Sequence, residues 1–525
     1  MSAAASERHQ DWARSVTASG PAVAVIGLMA LLCARLLPDI AGKPLHEDEA
    51  VAGLISARPL GDLLHTVVLD RGGAPLHFLL AHVALAIDTT PESLRWLSLI
   101  FALATVPVCY DLTRRLAGRS AGLIAAALTG TSQLLLVYGT FGRMYSLFAF
   151  ASALAADLFV RALERPQRRE VLAAAAAALF PLAVHPFGVF LFGAEAVVAL
   201  WLWRGRSLRA GLPVLAVALL ALPLLLADLR LSDRYAPEAG QDLDSGTSAG
   251  DATLHALGGA AGGRGVLLAL FVLLAAAGIY ALARRRPAVA AFAAITIAFP
   301  PVVLAVASAA GIAGDRLGPR HLIFMLPLWI ALVAIGAIQL GAMLPPKARI
   351  ATFAAIVAAA ALAPSAVSEP RTIPTGAEQA VAAPAAWLAT QLGPGDVLYP
   401  YSPVFFAALP AAKEARAYSR EPVALARAVK RTGATHTVFI SIPLREPLNG
   451  DGNALRRAGV RFRAFTSWLI LVSRGPFANG TAALRSTAEL LKIATPLVTE
   501  SNAHAYVEQI RGTACAALVR LRSAC

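Results

Sequence analysis

Residues 45–54 read Leu45-His46-Glu47-Asp48-Glu49-Ala50-Val51-Ala52-Gly53-Leu54, an acidic knot that opens into a small apolar segment. The knot follows the first long apolar run, residues 20–39, and begins a loop that extends to residue 95. A helix that crosses a bilayer needs about 20 mostly apolar residues. The knot therefore stands where the chain first leaves a membrane. Outward from it, comparable runs recur at 96–112, 120–138, 144–161, 171–186, 187–203, 210–227, 265–283, 287–310, 321–342 and 348–364, which predicts eleven spans. The fifth and sixth meet at His185-Pro186-Phe187, a tight turn.

The bulk numbers agree. The 525 residues are 57% hydrophobic and 15% charged, where soluble domains carry roughly 25% charge. A net charge of +14 in a soluble chain would point to nucleic acid. Here the arginines fall in short clusters between apolar runs, so nucleic acid is excluded as a partner. Residues 1–18 are polar and the run behind them is too long for a cleavable signal peptide. Arg114, Arg115 and Arg119, then Arg161, Arg165, Arg168 and Arg169, then Arg204, Arg206 and Arg209, then Arg284 to Arg286, then Lys347 and Arg349 occupy every second loop. Cationic loops mark the cytoplasmic side. This predicts a multi-pass protein of the plasma or inner membrane with residues 1–19 in the cytoplasm, a transmembrane domain over 20–364, and loop 40–95 outside. Segments 48–58 and 76–87 of that loop read as interfacial helices, and loop 228–264, rich in Gly, Asp and Ser, as a mobile cover or a linker.

Beyond residue 365 the patterning changes. DVLYPYS (396–402), HTVFISI (436–442) and WLILVS (468–473) read as strands, 377–391 and 421–432 as helices, and the last forty residues as helical. A small extracytoplasmic α/β domain over 365–525, with a parallel sheet, is expected. Cys515 and Cys525 are candidates for a local disulfide outside the cytoplasm. Cys33 and Cys109 lie in apolar runs and read as packing residues.

Five groups of residues can carry chemistry. Asp48 and Glu49 can act as a general base and its companion, can hold a divalent cation such as Mg or Ca that neutralises phosphate, or can simply cap a helix. Arg71, beside Gly72 and Gly73, can hold a phosphate, or can belong to a turn before a helix with Pro75 in its first turn. Arg143, at the outer end of the fourth span, is costly near bilayer depth unless paired or snorkelling. His185 lies at the same face, as a ligand contact or a packed histidine. Arg316 and Arg320, before the tenth span, can clamp a phosphate or reach the headgroups. No P-loop, dinucleotide fingerprint, HExxH or CxxC occurs. Asn479-Gly480-Thr481 is a weak glycosylation match.

Taken in order, these pieces resemble the GT-C superfamily of polytopic glycosyltransferases, in its family 39-like branch of protein O-mannosyltransferases and aminoarabinose transferases. Asp48-Glu49-Ala50 looks like that branch's DEA. Ala74-Pro75-Leu76-His77-Phe78 looks like its HPPLYY, and Ser93-Leu94-Arg95-Trp96-Leu97-Ser98 like its sLRlpS. Gly139 to Tyr145 resembles SQEARMY, and Arg320 to Pro327 resembles RYLLPalP. The resemblance implies a polyprenyl-phosphate sugar as donor, an extracytoplasmic glycan, lipid or protein as acceptor, and inverting hexosyl or pentosyl transfer. It implies Asp48 as base, Glu49 as supporting acid, and Arg71, Arg143 and Arg320 as phosphate or substrate contacts. Two departures stand out: Gly73 replaces the histidine of HPP, and Phe141-Gly142 precede Arg143 where the branch has a glutamate. A transporter or lipid flippase is the alternative, but the charges sit at the outer rim and no internal repeat is seen. A non-catalytic scaffold with a partner-binding external domain is the third reading.

Overall fold

The computed structural model describes residues 3–42, 46–70, 74–203 except 91, 216–227 except 218, 248–309, 318–363, 367, 381–393, 396–399, 405, and 436–525 except 445 and 449. The expectations placed on Arg71, Arg316, the segment 228–247 and the helix at 421–432 lie outside these residues. The chain divides into two compact units. One comprises Met1–Gly42 with Ile55–Glu369, and the other Lys43–Leu54 with Pro370–Cys525. The acidic knot thus groups with the C-terminal residues.

The first unit is helical: α1 (Ala3–Gly42), the end of α2 (Glu47–Ser56), α3 (Leu60–Asp70), α4 (Leu76–Ile87), α5 (Glu92–Ala117), α6 (Arg119–Gly130), α7 (Gln133–Tyr138), α8 (Tyr145–Glu164), α9 (Arg168–Val184) and α10 (Gly188–Trp203). It continues with α11 (Ala249–Ala260), α12 (Gly265–Arg285), α13 (Pro287–Ala309), a 3-10 helix (Pro319–Met325), α14 (Leu326–Gly341) and α15 (Pro346–Leu362). Among the described residues, six helices are long and apolar enough to cross a membrane: Gly20–Ala41, Glu92–Ala117, Tyr145–Glu164, Gly265–Arg285, Pro287–Val306 and Pro319–Gly341. The unit is that of a multi-pass membrane protein. Its outer helices keep apolar side chains exposed, such as Val23, Ile26, Leu273 and Val306. The α14 helix is apolar on every side and wrapped on every side, as a helix without a polar face must be.

Two expectations for this unit change. The third span is not continuous: α6 ends at Gly130 and α7 starts at Gln133, because Ser132 turns extended and its hydroxyl donates to the Gly259 carbonyl at 3.1 Å. Part of the loop at 228–264 is ordered structure. The Ser248 hydroxyl accepts from the Asp251 N–H at 3.1 Å and starts α11. Trp329 Nε1 donates to the Ala261 carbonyl at 3.2 Å just past the end of that helix.

The second unit carries α16 (Ala382–Gln391), β1 (Val397–Tyr399), β2 (Thr437–Pro443), α17 (Asp451–Arg457), β3 (Phe462–Ala464), β4 (Trp468–Arg474), α18 (Gly480–Ala494) and α19 (Ser501–Arg520). The strand order is β1-β2-β4-β3. Only the β1–β2 pair is parallel; β4 runs antiparallel to both β2 and β3, so the sheet is mixed, not parallel. Successive strand residues face opposite sides. Val438, Ile440 and Ile442 meet Leu484, Leu491, Val507 and Ile510 of α18 and α19. Phe439 and Ile470 on the other side meet Leu388 of α16, with Leu54 of the acidic stretch packed against them. That apolar seam is why the knot groups with this unit. Cys515 and Cys525 are bonded as a disulfide, and Cys33 and Cys109 are free thiols.

Candidate active site

In the helical unit, the turn between α7 and α8 presents Arg143. Gly139 opens it, where a Cβ would run into the Leu135 carbonyl and the Leu36 side chain. Ser98 of α5 fastens it, its hydroxyl donating to the Phe141 carbonyl at 2.6 Å. The Arg143 N–H also donates to the Phe141 carbonyl at 2.6 Å, and the Ser146 hydroxyl to the Tyr138 carbonyl at 2.7 Å. Arg95, one turn before Ser98, is buried and donates to the Ile40 carbonyl at 3.0 Å. The Ser93–Ser98 stretch is therefore the fastening of this turn and of the end of α1.

Three segments converge there. Arg143 and Arg320 both lie within electrostatic reach of the His185 ring. His185 and His321 have ring centroids 5.6 Å apart, and Tyr145 lies 6.2 Å and 6.4 Å from them. Phe148 stacks on His185 at 4.9 Å and Phe187 on His321 at 5.4 Å. Sequence-predicted Arg143, His185 and Arg320 are thus brought together, with Tyr145 and His321 added. The ring proton positions follow from the backbone. His185 Nδ1 accepts the Phe187 N–H at 3.1 Å, and His321 Nδ1 accepts the Gly318 N–H at 3.0 Å. An accepting Nδ1 puts the ring hydrogen on Nε2. Two guanidiniums and two Nε2–H groups make this a cluster of donors, which is the chemistry of an oxyanion site.

Sequence reasoning quoted His77 inside a motif but gave it no role. It stands in the first turn of α4, a helix of 12 residues that is too short to span a bilayer. Its ring is buried, 1% exposed, and among the described residues neither nitrogen has a hydrogen-bond partner. Burial and the nearby Arg143 cation hold it neutral, with its pKa pushed down to about 3. Glu195, buried in α10 with Oε1 unpartnered among the described residues, was also missed; one acid in an apolar run gave no periodic signal.

In the second unit the acidic knot forms a helix start. The buried Glu49 carboxylate accepts the His46 N–H at 2.9 Å, and His46 Nδ1 accepts the Asp48 N–H at 2.9 Å. This is the return half of a capping box. It gives Glu49 a structural task, while Asp48 is half-buried and gives the cap its backbone N–H. Among the described residues no group of three or more His, Cys, Asp or Glu side chains is placed to hold a metal ion.

These features define a class: a polytopic membrane protein with a cluster of buried and half-buried hydrogen-bond donors in its helical unit. Residues 72–229 match the family of dolichyl-phosphate-mannose-protein mannosyltransferases, a stretch that includes His77, Arg143 and His185 and leaves out Asp48 and Arg320. The structure is similar to ArnT from Cupriavidus metallidurans in the apo state, with 14% identity and a TM-score of 0.57 over 87% of this chain and 98% of that one. The same protein bound to undecaprenyl phosphate matches at 15% identity and a TM-score of 0.54, with the same coverage. The archaeal oligosaccharyltransferase AglB from Archaeoglobus fulgidus, in complex with an inhibitory peptide and a dolichol-phosphate, matches at 12% identity and a TM-score of 0.50 over 81% of this chain and 70% of that one. No curated protein matches the chain by sequence.

Proposed function

We propose that this protein is an integral-membrane glycosyltransferase that moves a sugar from a polyprenyl-phosphate donor to an extracytoplasmic acceptor. The observation that carries the reading is the donor cluster of Arg143, Arg320, His185 and His321 inside a GT-C fold, because a lipid phosphate is both the group to be held and the group that leaves. The ArnT structure with undecaprenyl phosphate and the AglB structure with a dolichol-phosphate support the donor class. Arg71 and Arg316 join the proposal as further phosphate contacts on the strength of the sequence alone.

The chemistry is a single displacement. Asp48 takes the proton of the acceptor hydroxyl, whose oxygen attacks the anomeric carbon. The bond from that carbon to the phosphate oxygen breaks with inversion, and the pair of electrons leaves with the polyprenyl phosphate. Guanidiniums fixed beforehand stabilise the charge that grows on the leaving oxygen, a contribution of about 10² to 10³ in rate for one such group. A positioned base contributes about 10² to 10⁴. Glu49 supports Asp48 by holding the helix start that presents it. A divalent cation at Asp48 and Glu49 remains part of the proposal, to be read by metal chelation. The acceptor can be protein, lipid or glycan.

The test is sugar release from a radiolabelled polyprenyl-phosphate sugar by purified protein in lipid nanodiscs. Asp48→Asn should lower turnover by at least about a hundredfold with donor binding retained, and Arg143→Gln should weaken donor binding. Near wild-type turnover in Asp48→Asn would remove the base assignment. A wild-type protein that consumes no polyprenyl-phosphate sugar of any kind would restore the transporter and scaffold readings.

A further inference from the structure

His77 is unusual in this unit. The rings of His185 and His321 each have one nitrogen committed to a backbone N–H, whereas both nitrogens of His77 are buried without a partner among the described residues. A buried neutral imidazole is one donor and one acceptor, and leaving either without a partner is destabilising. The fold carries that cost beside Arg143, which lies within electrostatic reach of His77 and of His185 alike. Phe78 closes one side of the ring, edge-on at 5.5 Å. A phosphate only accepts, so it would satisfy one nitrogen and leave the other orphaned. A water-sized or larger group that both donates and accepts satisfies both. Hydroxyls of a neutral sugar are such groups, and in the donor they sit next to the phosphate.

We propose that His77 reads the sugar of the donor, its two ring nitrogens taking hydroxyls of a neutral hexose whose phosphate is held at Arg143. The inference rests on the polyprenyl-phosphate reading of the same site. It makes His77 a specificity residue rather than a phosphate contact. It also gives a reason for a histidine in an otherwise apolar turn of α4. A sugar bearing an ammonium group in place of a hydroxyl would lack the acceptor there and would meet the Arg143 cation, so it is disfavoured.

The experiment measures binding of two probes to the full-length protein in nanodiscs: undecaprenyl phosphate, and undecaprenyl phosphate carrying mannose. Wild type should bind the mannosyl lipid more tightly than the bare lipid. His77→Phe should weaken the mannosyl lipid about five- to twentyfold, the loss expected for one or two hydrogen bonds, and leave the bare lipid within about twofold. His77→Gln, which keeps a donor and an acceptor, should recover part of the difference. Arg143→Gln should weaken both lipids. Equal losses for both probes in His77→Phe, no loss for either (a ring satisfied by resident water only), or a wild type without preference for the mannosyl lipid each overturn the inference. Wild type that binds neither lipid overturns the phosphate reading on which it stands. A thermal-melting control separates these outcomes from misfolding, since a misfolded His77→Phe would lose the bare lipid as well, which His77→Gln then checks.

Discussion

A neutral histidine held beside a guanidinium titrates in the unfolded chain before it titrates in the folded one. The His77 pKa stands at about 3 in the fold against an ordinary 6.5. Above pH 6.5 both states are neutral there and the ring adds no pH dependence. Below it the unfolded chain binds a proton that the fold refuses, so stability falls as pH drops from 6.5 towards 3. The slope is about tenfold in the folding equilibrium per pH unit. Between pH 7 and pH 4 the melting midpoint of wild type should therefore fall further than that of His77→Phe; parallel curves would show that the ring protonates in place. The acidic knot separates two roles one residue apart. Glu49→Gln weakens the accepting end of a helix start and should cost about 1 kcal/mol of stability with most turnover kept. Asp48→Asn should remove turnover, as expected for the base. The adjacency of the two acids was legible in the sequence, but their division of labour was not, because it depends on which carboxylate turns back to the His46 N–H.

At the scale of elements, α12 and α14 cross with their backbones nearly touching. A Cβ on Gly278 would run into the Leu332 carbonyl, and one on Gly336 into the Leu274 carbonyl. Small residues at a crossing let two membrane helices approach this closely. Gly336→Ala should lower stability in detergent by about 1–3 kcal/mol, the usual cost of overpacking. Gly193→Ala, where a Cβ meets nothing within 4 Å, should leave the melting midpoint unchanged or higher. The same scale shows what the sequence could and could not convey. Long apolar runs announced α1, α5, α8, α12, α13 and α14, because length and composition alone set a span. The strands at 397, 437 and 468 followed from β-branched alternation. The break between α6 and α7 was hidden, since it depends on a hydroxyl finding a carbonyl 127 residues away. The antiparallel placement of β4 was hidden too. Strand direction depends on the connection and not on the strand's own residues, and the three-residue β3 is too short to leave a pattern. Of the candidate site, the cations were legible as costly charges near apolar runs. His77 was not, for a single histidine in an apolar helix reads as packing until both its nitrogens are seen without partners.

At the scale of the whole molecule the charge distribution bears on orientation. Several arginines counted as loop cations are held in an internal network. Asp111 takes Arg114, Arg115 at 2.7 Å and Arg161 at 2.7 Å, and the buried Asp157 takes Arg161 at 2.6 Å and Arg115 at 3.3 Å. Arg286 pairs with Glu164. If orientation followed net charge, this pairing would erase much of the asymmetry. It does not follow net charge: Lys and Arg near the ends of spans set the side, and Asp and Glu contribute little. Insertion also precedes the tertiary contacts that bring α5 and α8 together. The loops at 161–169 and 284–286 should therefore face the cytoplasm, and the unit that ends at Cys525 the other side, where the Cys515–Cys525 bond finds an oxidising environment. Alkaline phosphatase, which is active only outside the bacterial cytoplasm, makes this measurable when fused to the chain expressed in bacteria. A fusion after Cys525 should be active and one within 165–168 inactive. Replacing Arg165, Arg168 and Arg169 together with glutamine should lower the contrast between the two fusions, whereas Asp157→Asn, which raises the net charge of the same end, should leave the contrast as it is. Equal activity of the two wild-type fusions, or an inactive C-terminal one, would place the acidic knot and the C-terminal unit on the wrong face for an extracytoplasmic acceptor, whatever the site itself can bind.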